Sequence, residues 1–326
     1  MRTLHAVAES FPIRGRFNIS RGAKTESVVV LATVGEGGKS GRGECVPYAR
    51  YGESIDSVLE QIESARGLIE RGGDRAALAG VLPPGAARNA LDCALWDLEA
   101  KQAGRPVWQL AGLAAPAALT TAYTLSLEEP DAMEAAARAA SARPLLKIKL
   151  GGEGDLARLE AVRRGTPVAK LIVDANEGWT IEAYKTLAPA CARLGVALIE
   201  QPFPAGKDDA LKDLAHPVPV CADESCHDSR TLGPLQGKYE VINIKLDKTG
   251  GLTEALALKR AAEAAGFRVM VGCMVGTSLA MAPGVLVAQG VEFVDLDGPL
   301  LLARDREPAL GYVGSTVAPP TPALWG

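Results

Sequence analysis

Short apolar runs recur through the last two thirds of the chain, and each run ends in a polar or small residue. Alanine-rich amphipathic stretches that are typical of helices lie between the runs, as at 252–266. Eight runs at intervals of roughly 20 to 30 residues are what a closed barrel of alternating strands and helices requires. The pattern therefore predicts an α/β fold of the TIM-barrel type, with strands at 119–124, 145–149, 171–174, 197–200, 218–223, 241–245, 269–273 and 293–295.

The N-terminal part of the chain follows a mixed pattern instead. It predicts a hairpin whose strands lie at 27–34 and 41–45, and two helices at 54–71 and 84–104. The composition changes near 112–116, which marks a boundary. We predict three parts: an α+β capping domain at 1–113, the barrel at 114–302, and a Gly- and Pro-rich segment at 303–326 that returns to the capping domain.

The run 145–149 is unusual because two lysines alternate with apolar residues. Lys147 and Lys149 lie on one face of the predicted strand, and Leu146 and Ile148 lie on the other. Buried parallel strands are normally apolar on both faces, so these ammonium groups either serve a function or face water at an exposed edge. The polar ends of the other strands favour a function.

Three carboxylates end three neighbouring strands of the predicted barrel. Asp174, Glu200 and Asp223 end strands three, four and five, so they converge on one sector of the rim that carries the chemistry of such barrels. Clustered anions repel one another unless a cation lies among them. An all-oxygen ligand set predicts magnesium, with manganese as the second choice, and argues against zinc. A solvated acidic loop is the alternative, which is weak for three consecutive strands.

Lys245 ends the sixth strand, half a turn around an eight-stranded ring from the second. It therefore faces Lys149 across the barrel mouth, with the metal sector on the arc between them. Two lysines so placed can remove a proton from one side of the carbon beside a carboxylate and return one from the other side. Lys147 and the metal would stabilise the charge that develops. Neighbouring cations should lower the pKa of the lysines, which would make a neutral amine available as a base.

Asp295 and Asp297 lie two residues apart at the end of strand eight, across the ring from strand four. The two carboxylates share a face and lie far from the predicted metal. They suit the free ammonium group of a substrate that reaches across the pocket. A solvated acidic turn before Gly298 and Pro299 is the alternative.

Composition and charge narrow the classes of partner. The net charge of −4 and the absence of a Lys/Arg run indicate neither nucleic acid nor an anionic membrane as a partner. No signal peptide and no apolar run of membrane-spanning length is evident, which predicts a cytoplasmic protein. The six cysteines are scattered singly, which predicts reduced, buried thiols. Homo-oligomerisation is left open.

Together, three stretches resemble the muconate lactonising enzyme subgroup of the enolase superfamily: Lys147-Ile148-Lys149, the carboxylate series, and Asn243 to Gly251. The resemblance covers nearly the whole chain and implies a modified (β/α)7β barrel with an N-terminal capping domain. Asp295-Leu296-Asp297 is similar to the pair that binds the substrate amino group in dipeptide epimerases. The implied activity is a magnesium-dependent 1,1-proton transfer that epimerises the C-terminal residue of L-Ala-D/L-Glu, a step in murein peptide recycling.

The resemblance also implies roles for individual residues. Lys149 and Lys245 would be the acid and base, Lys147 would be the cation beside the substrate, and Asp174, Glu200 and Asp223 would bind magnesium. Other expectations concern substrate contacts at Thr124 and around Cys273, and a supporting position for Asn176 behind the lysines.

Capping-domain loops at 20–22 and 48–52 are expected to close over the pocket. Arg21 is predicted to pair with the glutamate side chain of the substrate, and an ordinary surface arginine is the alternative. Gly276 stands where many relatives carry an acidic residue, which bears on side-chain specificity and not on the metal or the lysines.

Two kinds of rival function are open. An N-acylamino acid racemase or an o-succinylbenzoate synthase would use the same machinery, but neither substrate has the free ammonium group that Asp295 and Asp297 suit. A metal-binding barrel without turnover would lack a ligand or a lysine, and all six residues are in place.

Overall fold

An antiparallel sheet in the order β1-β2-β3 opens the computed structural model, which describes residues 2–326. Its strands are β1 Thr3–Ile19, β2 Gly22–Glu36 and β3 Lys39–Cys45. Helices α1 Ile55–Ser64, α2 Arg66–Glu70, α3 Arg75–Val81, α4 Ala86–Ala103 and α5 Val107–Leu110 follow. The hairpin and both helical regions lie where the sequence predicts them, although Ala65 divides the first helical region into α1 and α2. The long strand β1 was not predicted.

Helix α4 packs closely on β3 because two glycines leave room for it. A β-carbon on Gly41 would lie 2.1 Å from the carbonyl oxygen of Ala94, and one on Gly43 would lie 2.1 Å from that of Ala90. No larger residue fits at either position without moving the backbone. This close approach fixes the sheet, and the loops that extend from it, on the layer of helices.

Eight parallel strands form the barrel in chain order. They are β5 Tyr123–Leu125, β6 Leu145–Lys149, β7 Lys170–Asp174, β8 Val196–Glu200, β9 Val220–Ala222, β10 Val241–Ile244, β11 Arg268–Gly272 and β12 Phe293–Asp295. The backbone N–H of Ala122 donates to the carbonyl of Val294, which joins the first strand to the last. The predicted fold class is thus confirmed. The predicted first strand, however, is divided: β4, Leu119–Thr120, pairs outside the barrel, and β5 alone is a barrel strand.

Helices and short 3-10 turns connect the barrel strands. The α-helices are α6 Pro130–Ala139, α7 Asp155–Gly165, α8 Ile181–Arg193, α9 Leu246–Thr249, α10 Leu252–Ala264, α11 Ser278–Val287 and α12 Gly298–Leu301. The 3-10 turns are Ala49–Tyr51 in the capping part, then Asp209–Asp213, Ser229–Thr231 and Gly233–Leu235 beside β9. Within the described chain, no helix combines the length and apolar character needed to cross a membrane.

The barrel interior is layered, and the layers follow the two-residue period of a strand. The lowest layer is apolar, with members Ala122, Leu145, Ile172, Leu198, Cys221, Val241, Met270 and Phe293. Two residues further along each strand lies a layer that is almost entirely polar: Thr124, Lys147, Asp174, Glu200, Asp223, Asn243, Gly272 and Asp295. The apolar layer therefore supports the polar layer from below.

The C-terminal segment contacts both the barrel and the N-terminal part. Strand β13 Tyr312–Val313 pairs with β14 Thr316–Val317, and β14 pairs with β4. The indole of Trp325 donates to the carbonyl of Cys93 on α4. The cysteine thiols are free, as predicted, and all are buried except the partly exposed Cys273.

Candidate active site

A cavity of about 470 Å³ lies between the mouth of the barrel and the loops of the capping part. Its walls include most of the predicted site residues: Arg21, Thr124, Lys147, Lys149, Asn176, Asp223, Lys245, Cys273, Asp295 and Asp297. Asp174 and Glu200 are fully buried beside them. Residues that are far apart in the sequence thus share one enclosed site.

The three carboxylates lie together at adjacent strand ends. One oxygen each of Asp174, Glu200 and Asp223 lies within 4.8 Å of the other two, and all three residues are buried. Lys147 and Asn243 both contact the middle carboxylate, Glu200. Nζ of Lys147 lies 2.7 Å from its Oε2, and Nδ2 of Asn243 donates to its Oε1 at 2.8 Å. A compact, buried set of hard oxygen donors fits a divalent metal ion.

The two predicted acid/base lysines flank this carboxylate cluster. Nζ of Lys149 donates to Oδ2 of Asp174 at 2.6 Å, and Nζ of Lys245 donates to Oδ2 of Asp223 at 2.6 Å. Both side chains line the cavity and are largely buried. The two amines therefore reach the same cavity from the two outer carboxylates of the cluster.

Lys147 connects the carboxylate cluster to the aspartates on β12. Its Nζ lies 2.7 Å from Glu200, 3.2 Å from Asp174 and 2.8 Å from Oδ2 of Asp295. The side chain is 1% exposed, so these three anions replace its hydration.

Burial and mutual charge set the protonation of the carboxylates. Burial and the charge of Asp174 raise the pKa of Glu200 to about 7. Burial also acts to raise the pKa of Asp174, but Lys149 and Lys147 outweigh it and lower that pKa. Lys245 and Lys248 likewise hold the pKa of Asp223 well below its usual range against the effect of burial.

The pKa of Lys245 is not lowered, as the sequence analysis predicts, but raised. Burial acts to lower the pKa of Lys245, but the nearby charge of Asp223 outweighs burial and raises it well above the usual value. The carboxylates by themselves therefore keep this amine protonated. A divalent cation among them would act in the opposite direction, because like charges disfavour the ammonium form.

Asp295 and Asp297 both line the cavity but have different partners. Asp295 accepts from Lys147, whereas Oδ2 of Asp297 accepts from the backbone N–H of Thr124 at 2.6 Å. Burial, followed by the charge of Asp295, raises the pKa of Asp297 to about 7. The pair is thus only partly neutralised within the protein, and a cation in the cavity would be attracted to it.

Arg21 extends from the β1–β2 loop into a network of polar groups at the rim. Its guanidinium donates to Oε1 of Glu224 at 2.8 Å, to the hydroxyl of Tyr48 at 3.0 Å and to the carbonyl of Asn176 at 2.9 Å. Arg50 makes two hydrogen bonds of 2.7 Å to Glu177. The loops at 20–22 and 48–52 are therefore attached to the barrel loops beyond β7 and β9.

Three other positions from the sequence analysis, Asn176, Cys273 and Gly276, lie near the site. The backbone N–H of Asn176 donates to Oδ1 of Asp174 at 2.9 Å, so this residue supports a carboxylate more directly than it supports the lysines. Cys273 is partly exposed as a residue, but burial around its sulfur, followed by the charges of Asp295 and Asp297, raises the pKa of the thiol well above the usual value. A β-carbon on Gly276 would lie 3.3 Å from the carboxylate of Glu44, so an acid already occupies this neighbourhood.

Several residues of the site were not predicted. Lys248 donates three hydrogen bonds, to the carbonyl and Oδ1 of Asp223 at 2.6 Å and to the carbonyl of Asn243 at 2.9 Å. Glu224 is buried beside Asp223, and Tyr51 lines the cavity from the capping part. The position of Glu224 directly after a predicted ligand was a usable signal, whereas no sequence pattern indicated Tyr51.

Family comparisons agree with this architecture. Residues 1–112 match the N-terminal domain of the mandelate racemase / muconate lactonizing enzyme family, and residues 131–304 match the enolase C-terminal domain-like model. The chain therefore belongs to the mandelate racemase / muconate lactonizing enzyme family of the enolase superfamily, as the sequence predicts.

Individual relatives resemble nearly the whole chain. It is 48% identical to the L-Ala-D/L-Glu epimerase of Escherichia coli strain K12, over 96% of this chain and 98% of the relative. It is 46% identical to the N-acetyl-D-glutamate racemase of a Pseudoalteromonas species, over 88% and 91%. A solved enolase family member from Agrobacterium tumefaciens, with homology to dipeptide epimerases, superposes with a TM-score of 0.98 at 54% identity over 100% of both chains. That structure has bound sodium, L-Ala-L-Glu and an ordered loop.

Proposed function

We propose that this protein is an isomerase that epimerises the C-terminal residue of L-Ala-D/L-Glu by 1,1-proton transfer. The observation that carries the proposal is the pair of buried amines, Lys149 and Lys245, each 2.6 Å from an outer carboxylate of one cluster and both in the wall of one cavity. A carbon held between them would lose its proton to the amine on one side, in its neutral form, and receive a proton from the ammonium group on the other side. The similarity to dipeptide epimerases supports the same substrate class.

A divalent metal, Mg²⁺ in our proposal, would be held by Asp174, Glu200 and Asp223. When bound, it would offset the negative charge that develops on the substrate carboxylate. Lys147 would contribute a fixed positive charge beside the same carboxylate, and its own partners would keep it protonated. The all-oxygen donor set supports magnesium, and manganese would fit the same donors.

The dipeptide ammonium group would bind at Asp295 and Asp297. Their partial neutralisation supports this assignment, because a second cation would offset the burial and the repulsion from Asp295 that raise the pKa of Asp297. Thr124 would hold Asp297 through its backbone N–H, and the backbone near Cys273 would form the neighbouring wall.

The glutamate side chain would extend toward the capping loops. Arg21 is our choice of partner for its carboxylate, although Arg21 would then have to share donors that now bind Glu224 and Glu177. We also propose that the reaction serves murein peptide recycling. A cytoplasmic location remains a prediction.

N-acetylglutamate is a second candidate substrate, because a racemase of N-acetyl-D-glutamate is 46% identical to this chain. The two candidates differ at one point, since an acylated nitrogen carries no positive charge. The buried carboxylates of Asp295 and Asp297 favour the dipeptide.

The test is α-proton exchange in deuterated water. L-Ala-L-Glu incubated with the protein and Mg²⁺ should lose the proton NMR signal of its glutamate α-proton and yield L-Ala-D-Glu. A parallel incubation with N-acetyl-L-glutamate should proceed much more slowly. Faster exchange of N-acetylglutamate would favour the second candidate, and no exchange with it or with a panel of dipeptides would reject both.

A further inference from the structure

Three residues of the described chain other than glycine have a positive φ, and all three follow strands that carry carboxylates of the cluster. Asn176 and Glu177 come after Asp174, with φ of 44° and 67°, and Gln201 comes directly after Glu200, with φ of 36°. Residues other than glycine rarely adopt a positive φ. Gln201 is restricted further because it precedes Pro202. Strained backbone of this kind persists only where the surroundings hold it.

Both polar atoms of the Gln201 side chain, Oε1 and Nε2, have hydrogen-bond partners. Its Oε1 accepts from the backbone N–H groups of Asp223 at 2.8 Å and Ser225 at 3.1 Å. Its Nε2 lies within hydrogen-bonding distance of the carbonyl of Phe203 at 2.8 Å, the hydroxyl of Ser225 at 2.9 Å and that of Tyr239 at 3.0 Å. The side chain has no exposed surface.

Backbone bonds of the same residue connect the neighbouring strand ends. The N–H of Gln201 donates to Cys221 on β9, and its carbonyl accepts from Glu177 beyond β7, both at 2.9 Å. Gln201 thus contacts all three segments that end in the carboxylates, although it contributes no group to the cavity wall.

A second set of bonds fixes this arrangement from behind. Asp208 accepts from Ser225 and Tyr239 at 2.6 Å each and from the ammonium of Lys238 at 2.5 Å. These bonds orient the two hydroxyls that face Nε2 of Gln201. The network continues away from the cavity, so it is not part of the surface that a substrate would touch.

We infer that Gln201 is a positioning residue that sets the spacing of Glu200 and Asp223 for a divalent metal. This inference rests on the metal site of the proposed function. Glu200 is the residue before Gln201, and the N–H of Asp223 is bound to the amide oxygen of Gln201. A change in this side chain would therefore move one carboxylate relative to the other without removing either. Groups that orient metal ligands from behind commonly change metal affinity by about 10–100-fold when they are replaced.

Gln201→Met tests the inference because methionine keeps the length of the side chain and loses all of its hydrogen bonds. The affinity of the folded protein for Mg²⁺, measured by calorimetric titration well below the unfolding temperature, should fall by about 10–100-fold. Gln289→Met is the matched control. Gln289 also bonds to the backbone, at Ala117 and Val285, and lies apart from the cavity, so its replacement should leave the Mg²⁺ affinity unchanged.

Tyr239→Phe provides a milder change if Gln201→Met does not fold. It removes one hydroxyl that faces Nε2, so the Mg²⁺ affinity should fall, by less than the about 10–100-fold expected for Gln201→Met. Raising the Mg²⁺ concentration should restore activity in both variants. An unchanged Mg²⁺ affinity in whichever of these variants folds would overturn the inference and leave Gln201 a purely structural residue.

The unaltered protein separates this inference from the proposed reaction. If it binds no Mg²⁺, both the metal site and the role of Gln201 are wrong. If it binds Mg²⁺ and Gln201→Met weakens that binding, the role of Gln201 holds even where no dipeptide exchanges its α-proton.

Discussion

The ammonium nitrogen of Lys147 lies 2.7 Å from Oε2 of Glu200 in the centre of the barrel mouth, and neither side chain is more than 1% exposed. Each charge by itself would be costly to bury. Lys147 also contacts Asp174 and Asp295, so one cation is shared among three anions. The stability of the barrel mouth therefore depends on a balance of charge in which Lys147 is the central positive group.

Lys147→Met should destabilise the protein in the absence of divalent metal by about 3–5 kcal/mol, because it leaves buried carboxylates without their shared cation. Mg²⁺ should stabilise the variant more than it stabilises the unaltered protein, since the metal would replace the missing charge. Urea unfolding with EDTA and with Mg²⁺ measures both effects.

Lys101→Met is the control for that experiment. Lys101 pairs with the buried Asp97 at 2.7 Å on α4, away from the barrel mouth. Its loss should not increase the effect of Mg²⁺. Equal stabilisation of both variants by Mg²⁺ would contradict the central role of Lys147.

The barrel was predictable because its signal is local. Each strand is a short apolar run, and the site residues lie two positions beyond the apolar layer, as Lys147 does beyond Leu145 and Asp174 beyond Ile172. A two-residue period is visible in the sequence without knowledge of the fold. The convergence of Asp174, Glu200 and Asp223 follows once the strands are ordered around a ring.

Residues whose position depends on long-range packing were less predictable. Strand β1 contains an irregularity between Pro12 and Phe17 that interrupts its alternation, so no period marks it. The division of the predicted first barrel strand is not visible in the sequence, because it depends on the pairing of Leu119 with the distant Val317. Gln201 follows a predicted ligand, but its hydrogen bonds to Ser225 and Tyr239 come from elements that only the folded chain brings together.

Lys149→Met and Lys245→Met should each reduce epimerisation by at least about 10²-fold, because each removes one of the two proposed proton-transfer groups. Each variant should still exchange the α-proton of one dipeptide stereoisomer, and the two variants should retain opposite isomers. Proton NMR in deuterated water with L-Ala-L-Glu and L-Ala-D-Glu measures this. Lys185→Met, at an exposed helix position, should behave like the unaltered protein. Retention of the same isomer by both variants would show that the lysines do not act from opposite sides.

Asp297→Asn should weaken the turnover of dipeptides selectively. A hydrogen bond to a charged group contributes about 1.5–3 kcal/mol, so kcat/KM for L-Ala-L-Glu should fall by roughly 10–100-fold. Asparagine can still accept from the N–H of Thr124, which preserves the local structure. Any turnover of N-acetyl-L-glutamate should change much less, because that substrate has no ammonium group. Equal losses for both substrates would make the ammonium site wrong.

Asp247 should make the stability of the protein depend on pH. Its carboxylate joins helix α9, directly beyond β10, to the capping part, since Oδ1 accepts from Asn89 at 2.8 Å and from the N–H of Val46 at 3.1 Å. Burial raises its pKa from 3.8 to about 7, even though these two hydrogen bonds act to lower it. The folded state therefore holds this proton more tightly than the unfolded state, and stability is lost as pH rises from about 4 to about 7.

At 1.36 kcal/mol per pKa unit, this loss amounts to at most about 4 kcal/mol. Asp247→Asn keeps an acceptor for Val46 and cannot ionise, so the variant should gain stability relative to the unaltered protein as pH rises, with the difference constant above pH of about 8. Urea unfolding at a series of pH values measures the difference, and Asp213→Asn, at an exposed position, is the control. Parallel stability curves for Asp247→Asn and the unaltered protein would show that the Asp247 proton is not linked to folding.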